Sequence, residues 1–324
     1  MPNPVKTGPA ALTARPTLVP LTSLALIEVS GADAQPFLQG QLSNDIDAIG
    51  AGEARVRPCQ LNAYCNPKGR MLALIRLARW AGGFRMMVSA GLADGLVKRL
   101  KMYVLRARVE IALKPEIVML GRIGMGADDD APTGAGDDAG DAIERLTLDG
   151  IVPRQILLGE KQAMDAFADT FVDAGGHNAE TNDDLWRLTD ILSGIPQVYP
   201  QTVEVFIPQM LNLDLVGGLS FTKGCYPGQE IVARLRYLGK VKQRMLAGTV
   251  SGVKNLGPGD PIHTEQRPEQ KAGVVVDAVE TGNGEYTFSA TAPATMIEHG
   301  TLRTGSASGP ALSRIALPYQ APME

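Results

Sequence analysis

The chain is poor in cysteine, histidine and aromatic residues. It has three cysteines (Cys59, Cys65, Cys225) and three histidines (His177, His263, His299), and phenylalanine, tryptophan and tyrosine make up 5% of its 324 residues. Three cysteines give no even disulfide framework, which favours a reducing, cytoplasmic setting. Trp80 and Trp186 are the only tryptophans, too few for a stacking platform for single-stranded nucleic acid. The net charge of −4 lacks the basic excess of a duplex binder, so no direct nucleic-acid partner is expected. No apolar run approaches the roughly 20 residues that cross a bilayer, and no membrane partner is expected either.

Two stretches lack charge of one sign. No acidic residue precedes Glu28, but Pro2, Pro4, Pro9, Pro16 and Pro20 break any targeting helix there, so residues 1–19 read as a flexible leader. No basic residue lies between Arg122 and Arg145, where Asp128, Asp129, Asp130, Asp137, Asp138 and Asp141 alternate with glycine and alanine. This composition suits a solvated acidic loop better than a metal site.

What is there is ordinary globular material: 44% hydrophobic and 20% charged residues, enough to bury a core in two or three domains. Residues 24–29 read as a buried strand, followed by a helix capped at Asp33 with Pro36 in its first turn. Residues 71–79 and 84–88 read as a strand pair, and Ser89 as the cap of a helix with Leu92, Leu96 and Leu100 on one face. Met164, Phe167, Ala168 and Phe171 mark another amphipathic helix, and Thr181 with Asp184 a capping box before Trp186. Beyond Gly239 the texture turns to strands and turns, with Asn283-Gly284 as a hairpin signal. The fold class is therefore α+β: an α+β region over 20–240, with 49–114 as an inserted lobe, and a C-terminal β-barrel over 241–324.

The most informative stretch runs from Phe221 to Arg234, FTKGCYPGQEIVAR. Small polar residues around Cys225 suit a turn that presents the sulfur rather than packing it. Gly224 and Gly228 permit positive φ or close backbone approach. Lys223 and Arg234 would favour the reactive thiolate if they lie near it. A cysteine hydrolase needs a base beside the thiol, and no histidine is near in sequence. Cys59 and Cys65 lack metal-ligand spacing, and Cys59 reads as a core packer. Arg234 and Arg236, then Lys240, Lys242 and Arg244, alternate as they would on one face of a strand, giving either a cationic surface or a solvated face.

The segment KGCYPGQE followed by IVAR resembles the signature of the YgfZ family of folate-binding proteins. The likeness extends to Gly31–Ala34 with Phe37–Asp45, to Cys65-Asn66-Pro67-Lys68-Gly69-Arg70-Met71, to Ser193–Pro196, and to Phe206–Asp214. The family is related to the T-protein (aminomethyltransferase) of the glycine cleavage system. That resemblance implies lobes around a central folate-binding channel with a C-terminal barrel. It implies tetrahydrofolate or a derivative as ligand, and iron–sulfur or cluster-assembly proteins as partners, with an indirect effect on tRNA modification. Cys225 would be the essential thiol, and Lys223, Gly224, Tyr226, Gly228, Gln229, Glu230 and Arg234 the cofactor-binding residues around it. The cationic face would meet the carboxylate tail of a folate. In the segment Gly69-Arg70-Met71-Leu72-Ala73-Leu74-Ile75 this chain has leucine or alanine where the T-protein pattern has acidic residues. These side chains take no proton, so conventional aminomethyl transfer is disfavoured. The competing expectations are a folate-dependent one-carbon transferase with Glu230 as base, and a non-catalytic folate sensor or scaffold.

Overall fold

The computed structural model describes residues 15–50, 56–124, 142–179, 183–266 and 268–322. The acidic stretch, Thr181 and most of the N-terminal leader lie outside them. Three sheets organise the described chain. The first has strands in the order His177–Asn178, Thr17–Pro20, Ile117–Ile123, Arg154–Glu160, Ile143–Leu148 and Val56–Pro58. The second is antiparallel: Gln60–Cys65, Met71–Trp80, Gly83–Ser89, Leu24–Ser30 and Glu110–Leu113. The third, C-terminal sheet curls as a half-barrel: Leu302–Thr304, Pro261–Thr264, Gly273–Gly282, Glu285–Pro293, Gln243–Ser251 and Ser313–Ile315. The first two are interleaved in sequence, because Leu24–Ser30 joins the second sheet before the chain returns to the first.

Among the described residues the α-helices are few: α1 (Ala34–Gln39), α2 (Ala90–Val104), α3 (Lys161–Asp173), α4 (Asp184–Ser193), α5 (Gln229–Tyr237) and α6 (Ala294–His299). Strand alternation explains how α1 and α2 dock on the second sheet. Ala73, Ile75 and Leu77 of Met71–Trp80 share one core with Leu38 of α1 and with Leu96 and Leu100 of α2. The intervening Leu74 and Ala78 belong to two other cores, on the side facing the rest of the molecule. Arg76 lies between those two positions and is 1% exposed.

Helix α4 holds the lobes together. Trp186, Leu188 and Leu192 enter the core beneath the first sheet, while Ile191 packs on Ala247 and Val279 of the third. Its N-cap, Asp183, makes no side-chain cap bond. The carboxylate instead accepts from the backbone N–H and hydroxyl of Ser23. Gly194, at φ +67, ends the helix. Asn283 and Gly284 both take positive φ between two long strands, as the hairpin signal requires.

One expected element is different. Arg234 and Arg236 lie in helix α5, not on a strand, and the next strand starts only at Gln243. Glu230 in the first turn and the two arginines in the last complement the helix dipole. At 100° per residue the two guanidiniums do not share a face.

Candidate functional site

Two segments far apart in sequence meet backbone to backbone. The turn after Cys65 is closed by Asn66, whose carbonyl accepts from Gly69 N at 2.9 Å and whose side-chain oxygen accepts from Lys68 N and Arg70 N. Asn66 Nδ2 donates to Glu204 at 2.8 Å, and Met71 pairs with Glu204 and Phe206 through the backbone. Gly228 takes φ +82 as the N-cap of α5 and sits against this turn. A Cβ on Gly228 would stand 2.5 Å from Asn66 O and 2.7 Å from Gly69 Cα. Gly69, at φ +70, in turn faces Ile231 of α5, where a Cβ would stand 2.9 Å from the Ile231 Cβ. The glycines are thus required by close approach.

Between this contact and residue 220 runs the loop that carries the thiol. Cys225 is exposed, whereas Cys65 is buried and Cys59 partly buried. Burial pushes both of those thiols up to about 12, which keeps them in the thiol form at neutral pH. Lys223 is 9% exposed. Its Nζ donates to Gln39 O, at the last residue of α1, at 2.6 Å and to Leu42 O, just beyond it, at 2.5 Å, and lies 5.3 Å from the Tyr226 ring centroid. Burial lowers its pKa to about 8, partly opposed by Asp45 and Asp47. Lys223 is therefore an anchor for the loop, its amine committed to two carbonyls. Tyr226 is buried, and burial raises its hydroxyl pKa. Gln229 is half-buried, and Gly224, Glu230 and Arg234 are exposed. Gln209 Nε2 fastens α5 from below through Val232 O at 2.6 Å.

A cavity of about 470 Å³ opens where the lobes meet, lined by Cys59, Gln60, Leu61, Leu148, Asp149, Arg154, Ser193, Ile195, Leu215, Val216 and Tyr319, among others. Its walls come from the first two sheets, the end of α4 and the tail after the last strand of the third. Beside it, Asp190 of α4 binds Arg154 of the first sheet at 2.7 Å and Arg76 of the second at 2.6 Å. None of the residues from Lys223 to Arg234 lines this cavity. Sequence reasoning singled out none of Arg76, Arg154 and Asp190. The one signal was a carboxylate, Asp190, on a helix whose other side chains around it include Leu188, Ile191 and Leu192.

The chain resembles curated proteins over most of its length. It is 31% identical over 279 residues to the tRNA-modifying protein YgfZ of Enterobacter sp., covering 83% of this chain and 82% of that protein. The chain belongs to the YgfZ family. The YgfZ protein of Klebsiella pneumoniae is 30% identical over 281 residues, covering 83% of both chains. An uncharacterised protein of Haemophilus influenzae is 32% identical over 264 residues, covering 81% of this chain and 84% of that one. No protein-family model matches. Among solved structures, the glycine cleavage system aminomethyltransferase T of Bartonella henselae superposes with a TM-score of 0.71, covering 98% of this chain and 90% of that one at 16% identity. This YgfZ chain thus has the T-protein fold. Ala73 and Leu74, whose side chains take no proton, are both buried in the second sheet.

Proposed function

We propose that the protein binds a tetrahydrofolate in the cavity between its lobes and supports iron–sulfur cluster synthesis or repair through Cys225, affecting tRNA modification indirectly. The observation that carries this reading is the exposed Cys225 on a loop anchored at both ends, by Lys223 and by Gly228, within a T-protein fold. A thiol presented in this way suits transient metal or sulfur contact with a partner protein. The cavity fits a folate in size and chemistry. About 470 Å³ falls within the roughly 300–1,000 Å³ of small-molecule sites. Leu61, Leu148, Ile195 and Val216 offer apolar walls to the rings, with Gln60, Asp149, Ser193 and Tyr319 as polar partners. Glu230 is exposed and does not line the cavity, so the base that the transferase reading named does not stand beside the ligand.

Calorimetric titration of tetrahydrofolate into the wild type and Cys225→Ala tests both halves. Saturable binding that survives within about twofold in the variant is expected, since thiol and cavity are separate. In cells lacking the protein, Cys225→Ser should then fail to restore cluster-dependent enzymes. Full rescue by Cys225→Ser would remove the thiol from the function, and a folded wild type that binds no tetrahydrofolate would remove the folate.

A further inference from the structure

A second cavity, of about 500 Å³, lies between α5, the segment 205–210 and the C-terminal sheet. It shares no lining residue with the first. Its floor is apolar, with the partly exposed Ile207, Met210 and Leu235 among the residues that form it, and Arg70, Lys240, Lys242 and Lys271 line it as well. No carboxylate does. The three lysines are exposed and make no ion pair among the described residues, and Arg70 gives one N–H to Val205 O at 2.6 Å. The imbalance is wider than the cavity. From Ile231 to Gly259 there is no acidic residue in a chain of net charge −4, while Arg234, Arg236, Lys240, Lys242, Arg244 and Lys254 all fall there. Of these, Arg244 is buried and paired with Asp214 at 2.7 Å.

Unpaired cations converging on an apolar hollow repel one another, and the low-dielectric floor strengthens the field they make at its mouth. A phosphate would neutralise them, and an attached organic body would cover the floor. We infer that this cavity is a binding site for an amphipathic organic polyanion: a flat or alkyl body carrying two or more phosphates, held apart from the folate. The phosphates would lie among Lys240, Lys242 and Lys271, where lysine acts as a point charge, and the body against Ile207, Met210 and Leu235.

Calorimetry with ATP, coenzyme A and inorganic tripolyphosphate as probes, with the protein free or saturated with tetrahydrofolate, decides the matter. ATP or coenzyme A should bind at least tenfold more tightly than tripolyphosphate, equally with and without tetrahydrofolate. Lys242→Glu combined with Lys271→Glu should weaken that binding at least tenfold, and Lys254→Glu, outside the cavity, should not. These are surface changes, and retained tetrahydrofolate binding and melting temperature show that the variants fold. Tripolyphosphate binding as tightly as the organic probes would overturn the inference, because the floor would then contribute nothing. So would displacement by tetrahydrofolate, an unaffected double variant, or no binding of either organic probe. If the wild type fails to bind tetrahydrofolate, the organic probes still test this cavity alone.

Discussion

Gly224 and Gly228 flank Cys225 and look interchangeable in the sequence, yet the fold asks different things of them. At Gly228, positive φ and the approach of Asn66 O and Gly69 Cα leave no room for a side chain. The obstructing atoms are backbone and cannot swing aside. At Gly224 nothing lies within 4 Å of where a methyl group would stand, and φ is not positive. Gly228→Ala is expected to cost more than about 2 kcal/mol, from left-handed strain plus displacement of the Asn66 turn. Gly224→Ala should stay within about 0.5 kcal/mol of the wild type. Urea unfolding of the two variants measures this, and equal losses would mean that the contact between turn and loop is not what shapes the motif.

The element most in need of its tertiary setting is α5. Ile231-Val232-Ala233 followed by alternating cations reads as a strand, yet the capping glycine against the Asn66 turn and the Gln209 bond to Val232 O hold it as a helix. The hairpin at Asn283-Gly284 was legible because its instruction is local. The same contrast runs through the loop. The sequence places Lys223 two residues from Cys225, which suggests tuning of the thiol, but the fold spends the amine on carbonyls more than 180 residues away along the chain. That anchor makes a pH-dependent prediction. Burial lowers the folded-state pKa to about 8 from 10.5, so the unfolded chain binds more protons between those values and this group adds stability as pH rises through that window. Below about pH 8 the desolvated ammonium counts against folding. The urea midpoint of the wild type relative to Lys223→Met should therefore rise from about pH 7.5 to about pH 10. A constant or shrinking difference would show that the two carbonyls hold the charged form instead.

At the scale of the whole molecule, one ten-residue helix ties all three sheets. Asp190 of α4 reaches Arg154 in the first sheet and Arg76 in the second, and Arg187, one turn earlier, binds Asp277 in the third. Tyr199 completes the last contact with a 2.7 Å bond to Asp277. The family signature made the lobed fold legible, but not this clasp, because the partners of α4 lie 114, 36 and 90 positions away. The pairing is unequal: two buried guanidiniums share one carboxylate. Removing an arginine leaves the carboxylate a partner, whereas removing the carboxylate leaves two cations facing each other without a counter-charge. Asp190→Ala is therefore expected to destabilise by about 3–5 kcal/mol, the cost of breaking a buried ion pair from one side. Arg76→Met, which substitutes a long apolar side chain facing the neighbouring lobes, should cost clearly less. Because Arg154 also lines the lobe-junction cavity, the same Asp190→Ala protein, where it still folds, should lose affinity for tetrahydrofolate while Cys225 keeps its accessibility to thiol reagents. Paired chemical unfolding and calorimetry measure both effects. Equal costs for the two substitutions would mean that the lobes are held by apolar packing of Trp186, Leu188 and Ile191 alone, with the charged clasp an incidental neighbour of the cavity.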